Sequence, residues 1–246
     1  MSLRPQIQLS NMSYSGAGES LQNRDYFSLK GRFFVKNAKT PTSEEEEDEL
    51  RGKNFKKIEY KKKDGTTVEK WEQRIPYLTG QIIEAKDRDG KFGWEQLIIL
   101  EDPATGEQAQ ISADKFMNAQ MENLLNRMCN PEFNLGEEVK LVPYSKPKDN
   151  GKKGNNEGVV IYTKDEEGEY NVKVEKAFKA PEKGKKADHD CPSWNSVEGK
   201  GKDKGKFVWD NNDTIEYLDK AVAEAFARGF SVEAIVENAE EDDLPI

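Results

Sequence analysis

The stretch that most limits how this chain can fold runs from Arg74 to Tyr144, where the apolar period switches from strand to helix and back. Arg74–Lys86 (RIPYLTGQIIEAK) is apolar and β-branched, and it stops at the turn signal Arg88-Asp89-Gly90. Phe92–Leu100 (FGWEQLIIL) follows and stops at Asp102-Pro103, with Gly106 just beyond. Glu107–Ile111 reads as a short third strand. Ser112 is placed as an N-cap ahead of Met117, Met121, Leu124, Leu125 and Met128, whose spacings put them on one helical stripe. Asn130-Pro131 ends that helix, because proline lacks the N–H and restricts the residue before it. Glu137–Tyr144 (EEVKLVPY) is the next strand.

One more strand within Gly158–Phe178 completes a five-stranded barrel with its helix between strands three and four. That is the element order of an OB-fold, a frequent platform for single-stranded nucleic acid. Glu157–Lys164 and Glu169–Phe178 read as strands around the Glu166-Glu167-Gly168 turn. The expected class is mainly β: an OB-fold-like barrel with an inserted helix, an added N-terminal strand and hairpin, and a C-terminal helical segment. The body spans residues 25–178, after a polar, flexible arm over 1–24. A Gly/Lys-rich linker or loop over 179–206, helices over 207–239 and an acidic tip over 240–246 follow.

The attachments carry the binding chemistry. Tyr26–Lys36 (YFSLKGRFFVK) alternates, with Phe27, Leu29, Gly31, Phe33 and Val35 on a core face. Lys30, Arg32, Phe34 and Lys36 then share the other face with Tyr26 and Ser28, mixing cations with rings as a phosphate backbone with stacked bases requires. Asn54–Gln73 reads as a hairpin around Asp64-Gly65, with Ile58 opposite Trp71 and Glu59 opposite Lys70. It projects Lys56, Lys61 and Lys62 together with Tyr60 and Trp71, a combination suited to clamping a strand, although edge lysines also guard sheets against aggregation. Tyr77 and Trp94, in the barrel segment, either stack on bases or fill the core. Lys146, Lys148, Lys152 and Lys153 lie in the loop Ser145–Asn156 that joins the last two barrel strands. Ala38–Asp48, with its acid run Glu44–Glu49, is expected to be a solvated loop.

Net charge is −9, and Phe207–Ile246 alone holds 11 acidic and 2 basic residues, so residues 1–206 are neutral despite the six acids of Glu44–Glu49. The chain is a mildly basic body with an acidic loop and an acidic end. No run approaches the roughly 18 apolar residues of a membrane span, and MSLRPQIQLSNMS lacks the apolar core of a signal peptide. Two cysteines, Cys129 and Cys191, fit a reducing compartment, with a disulfide as the lesser alternative; the cytoplasm is expected. His189 and Cys191 supply two zinc ligands at most, with only Cys129 to add, so no metal or cofactor is expected.

Asp213–Arg228 is amphipathic, with Ile215, Leu218, Val222, Ala225 and Phe226 on its stripe, a capping-box pair Asp213/Glu216 and Gly229 at its end. A shorter helix starts after Ser231. Both are acidic, which suits docking on the barrel or a neighbouring subunit better than entering a groove. The chain closes with Glu240, Glu241, Asp242, Asp243, Leu244, Pro245 and Ile246. This tip resembles the end of bacterial and phage single-stranded DNA-binding proteins: several acids, an aliphatic residue, proline and a final apolar residue. Asp242, Asp243, Leu244 and Pro245 match, whereas Ile246 replaces the usual final phenylalanine. The resemblance implies an OB-fold that coats single-stranded DNA in replication or recombination, and a tip that recruits replication or repair proteins.

Two other readings compete. Glu84-Ala85-Lys86 has the E-x-K spacing of metal-dependent nuclease strands, with Asp64 as an upstream acid. The acidic helices and tip also suit a replisome or virion scaffold. No Walker-type loop is present, and the sole histidine lies in the expected linker or loop, which leaves histidine-centred triads unsupported; an enzyme is not the expected outcome.

Overall fold

The computed structural model describes residues 24–62, 64–90, 93–114, 118–148, 154–179, 187–198 and 205–229. Met117, Lys152, Lys153, the helix after Ser231 and the tip Glu240–Ile246 lie outside these residues.

The N-terminal strand is a hairpin, not one strand. β1 (Arg24–Lys30) and β2 (Phe33–Ala38) pair Lys30 with Phe33 across a turn at Gly31, whose φ of +57° suits glycine. The turn shifts the alternation. Phe34 therefore joins Phe27 in the core, fully buried, and Phe33 faces outward in its place. Lys36 falls on Phe34's side and is tied to Asp25 at 2.6 Å.

The acid run is a helix, α1 (Glu44–Gly52), rather than a loop. Ser43 caps it by accepting from the Glu46 N–H, and four glutamates in the first turn meet the positive end of the helix dipole. Leu50 anchors α1 on Phe55 and Trp71, a small apolar cluster beside the main core.

β3 (Lys56–Lys61) and β4 (Thr67–Ile75) form the basic hairpin, one residue out of the expected register: Ile58 pairs with Lys70 and Lys57 with Trp71. The Lys62 N–H closes the loop on the Thr66 carbonyl, which leaves three positions between them, one more than the two-residue turn expected. The slip moves Trp71 to the face opposite Tyr60, beneath α1.

β5 (Leu78–Gly90) follows the Pro76 break, and β6 (Gly93–Glu101) begins beyond the expected turn, since Asp89 still pairs with Trp94. β7 (Gln108–Asp114) includes Ser112, so the cap of α2 (Ala119–Met128) is Asn118, whose side chain accepts from the Gln120 and Met121 N–H groups at 3.0 Å. Met121, Leu124, Leu125 and Met128 are buried as the stripe requires. β8 (Glu138–Pro147), β9 (Asn155–Thr163) and a two-residue β10 (Val172–Lys173) complete the main sheet. The expected linker instead holds β11 (Asn195–Glu198), which pairs with β12 (Phe207–Asp210). α3 (Asn212–Gly229) starts with its Ile215 N–H bonded to the Asn211 carbonyl, and Asp213 faces Asn195 instead of forming the capping box.

The main sheet has ten strands in the order β10-β9-β8-β5-β6-β7-β1-β2-β4-β3. The five strands of the segment expected to form the barrel lie side by side in the order β9-β8-β5-β6-β7, with α2 between the third and fourth in chain order. The barrel is not closed. The edge of β7 that would shut it is occupied by β1, running parallel from Arg24↔Gln108 to Ser28↔Ser112. The protein is thus mainly β, with one open mixed sheet. α2 and α3 cover its apolar side: Ile215, Leu218 and Val222 share one core with Ile98, Ile111, Leu141 and Ile161. Among the described residues no helix is long and apolar enough to cross a membrane.

Candidate nucleic-acid interface

The alternation of β1, β2, β4 and β3 sorts their side chains between two faces. Phe27, Phe34 and Ile75 point into the core. The other face carries Tyr26, Lys30, Phe33, Arg74, Glu72, Lys70, Tyr60 and Lys56. Tyr26 is 53 % exposed. Glu72 is the one of these held inside. Its carboxylate accepts from Lys30 Nζ at 2.8 Å, Tyr60 Oη at 2.6 Å and Arg74 at 3.3 Å. Burial alone would raise the Glu72 carboxyl, but the bonds from Lys30 and Tyr60 and the nearby cations outweigh it and hold the group below the usual glutamate range. The charge of this acid is therefore answered twice, by Lys30 and Arg74. Lys30 and Lys70 also sit 5.7 and 5.5 Å from the Tyr60 ring centre, and Arg32 lies 5.2 Å from that of Phe33.

The β1–β2 turn reaches the far end of β8. Gln120 donates to the Gly31 carbonyl at 2.6 Å, and a methyl at Gly31 would sit 3.8 Å from Ser145 Cβ. This brings Lys30 and Arg32 beside the start of the β8–β9 arm, where Lys146 and Lys148 are exposed with no ion pair among the described residues. Between that arm and the start of α2 lies a cleft of about 580 Å³, lined among others by Tyr144, Lys146, Lys148, Lys176 and Trp194. Gly158 makes room for Tyr144 there: a Cβ would fall 2.5 Å from the phenol oxygen.

The predicted site residues thus separate. Lys30 and Tyr60 share the outer face, Arg32 lies in the turn beside it, and Lys146 and Lys148 lie on the β8–β9 arm just beyond Ser145; Lys56, Lys61 and Lys62 are exposed on the hairpin, with Lys56 on Tyr60's face and Lys61 on the opposite one. Phe34 and Trp71 are buried and offer no face to a base; Arg51 covers the Trp71 ring at 5.6 Å. Lys36 is committed to Asp25. Tyr77 lies under Lys140, 4.4 Å from its ring centre, beside a pocket of about 60 Å³. Trp94 is 49 % exposed at the free end of the β5–β6 ribbon and makes no ring or cation contact with the residues above.

As interface residues, Phe33, Arg74, Lys176 and Trp194 escaped the sequence reading, while Lys70 belongs to the basic hairpin it singled out. The contiguous Phe33-Phe34-Val35 after Gly31 was the available signal for the first, since one strand cannot alternate through it. Trp194 and Lys176 come together only through tertiary contacts.

Other chemistry is quieter. Burial pushes the Cys129 thiol up to about 12, with Cys191 adding to the effect, and pushes Cys191 up to about 11, with Glu122 adding. Both are free thiols. Among the described residues no three metal-ligating side chains converge. Glu84 is paired with Lys86 at 2.6 Å, and Asp64 accepts from the Thr66 N–H in its turn. Comparison with protein-family models, with curated proteins and with solved structures gives no match to this chain.

Proposed function

We propose that this chain is a single-stranded DNA-binding protein that coats and protects DNA in replication or recombination, in a phage setting, without catalysing a reaction. The observation that carries the reading is the run of rings and cations on one face: Tyr26, Phe33 and Tyr60 interleaved with Lys30, Arg32, Lys70 and Arg74. Aromatic faces accept any base, and cations neutralise phosphates without reading sequence, so this mixture suits coating rather than site selection. The neighbours β9-β8-β5-β6-β7 around α2 also support an OB-type platform, whose arms would be the β5–β6 and β8–β9 hairpins. The acidic tip Glu240–Ile246 would recruit replication or repair proteins, its carboxylates meeting a basic pocket and Leu244 and Ile246 an apolar one.

Fluorescence anisotropy of labelled oligo(dT) over a salt series tests this. Binding should be tight at low salt and weaken linearly in log–log form as salt rises. No binding at low salt, or affinity indifferent to salt, would overturn it. The exposed acids of α1 keep a scaffold role as the second reading; a stable protein partner in the absence of DNA affinity would favour it.

A further inference from the structure

Lys176 is a cation with no hydrogen bond or ion pair among the described residues, although it is half-buried in the cleft beside α2. Burial holds its ammonium below the ordinary lysine range; the charge of Glu122 opposes this and Arg127 adds to it. Glu122 is already engaged. Its Oε2 accepts from Trp194 Nε1 at 2.6 Å and from Asn211 Nδ2 at 2.8 Å. The carboxylate thus fixes the edge of the Trp194 ring, which remains 38 % exposed. Lys146 and Lys148 line the same cleft, also without ion pairs among the described residues. Its volume of about 580 Å³ falls within the roughly 300–1,000 Å³ of small-molecule sites. A desolvated cation with no carboxylate at ion-pair distance among the described residues, next to an aromatic ring held by its edge, matches a phosphate joined to a planar base.

We propose that this cleft seats one nucleotide of the bound strand, with its phosphate on Lys176, its base against Trp194 and the adjoining phosphates on Lys146 and Lys148. The inference rests on the single-strand reading and adds a path to it: the strand leaves the outer sheet face at the Gly31 turn and enters between α2 and the β8–β9 arm.

The test uses the full chain and labelled oligo(dT), comparing wild type with Lys176→Gln, Trp194→Ala and Trp194→Phe. Lys176→Gln should lower the salt slope by about 0.7, the value for one phosphate contact on a single strand. Trp194→Ala should weaken binding by about fivefold or more, as expected for one lost stack, whereas Trp194→Phe keeps a ring and most of the affinity. An oligonucleotide carrying 5-iodouracil should photocross-link to the peptide containing Trp194. If wild type binds but Lys176→Gln and Trp194→Ala match it and no cross-link maps there, the cleft is overturned and the single-strand reading stands. If Trp194→Ala unfolds the protein, the Lys176→Gln slope and the cross-link decide. If wild type fails to bind at low salt, the reading falls and the cleft with it.

Discussion

The two hairpins that flank the sheet are both rich in lysine, and they use it differently. Around β3–β4 the cations nearest the core are answered: Lys57 meets Glu69 at 2.9 Å, Lys53 meets Glu49 at 2.5 Å, and Lys30 and Arg74 share Glu72, while Lys56, Lys61 and Lys62 toward its outer side are exposed with no ion pair among the described residues. On the β8–β9 arm, Lys146 and Lys148 have no acid opposite them among the described residues. Lys30 and Arg74 hold Glu72 yet stay partly exposed beside the rings, so they serve fold and interface together, whereas an unpaired cation is wholly available to a phosphate. Counting lysines therefore misjudges where affinity resides, and the partner of each lysine is the better guide.

Substitutions can break or sharpen this contrast. The largest effect is expected at Trp71, whose burial under α1 makes it structural. Trp71→Ala should cost about 3–5 kcal/mol in urea denaturation, by the usual loss for a buried aromatic. A stable variant with weakened DNA binding would instead return Trp71 to the interface. Next is Glu72→Gln, which leaves Lys30 and Arg74 without this counter-charge and should cost about 1.5–3 kcal/mol, the range for hydrogen bonds to a charged group. The folded-state acidity of Glu72 is depressed, so its stabilisation is present above the unfolded carboxyl value and lost as pH falls through the lower folded one. The variant should flatten that acid limb of a stability–pH curve, and an unchanged limb would place the effect elsewhere.

Smaller effects are expected on the open arm. Lys146→Gln with Lys148→Gln should leave stability within about 0.5 kcal/mol while lowering the salt slope by about 1.4, two single-strand contacts. An unchanged slope in the oligo(dT) titration would remove this arm from the interface. Deleting Glu240–Ile246 should tighten DNA binding if its acids compete for the same cations; unaltered affinity at low salt would count against that competition. The smallest expected signal is thiol labelling: Cys129 and Cys191 should react slowly in the native state at neutral pH, because burial keeps both protonated.

The sheet's centre was legible from the sequence because periodicity reports burial. The helical stripe Met121, Leu124, Leu125 and Met128 and the apolar strand Leu97–Leu100 sit where the pattern put them. Phase and register were less legible. Gly31 turned one strand into two and exchanged Phe33 for Phe34, and a one-residue slip in β3–β4 exchanged the faces of Trp71 and Tyr60. Both errors have one physical source: strand side chains alternate with a period of two, so a single miscounted residue inverts every assignment beyond it. The Glu44–Glu49 helix was missed because clustered acids suggest repulsion, whereas Ser43 and the helix dipole favour them in a first turn. The Trp194–Glu122–Asn211 contacts join residues 72 and 89 positions apart, beyond the reach of any local pattern.

The parallel β1–β7 seam has a kinetic consequence. Arg24 bonds to Gln108 across 84 positions of chain, while β1–β2, β3–β4, β5–β6, β6–β7 and β8–β9 each join strands that follow one another in sequence. Neighbouring hairpins close short loops and assemble early, whereas the seam must recover the entropy of a long loop in one step. Joining the two halves of the sheet is then the late event of folding. Weakening the seam at Arg24 or Gln108 should hasten unfolding far more than it slows refolding. The halves themselves would keep their hairpins while parting along a line through the middle of the sheet.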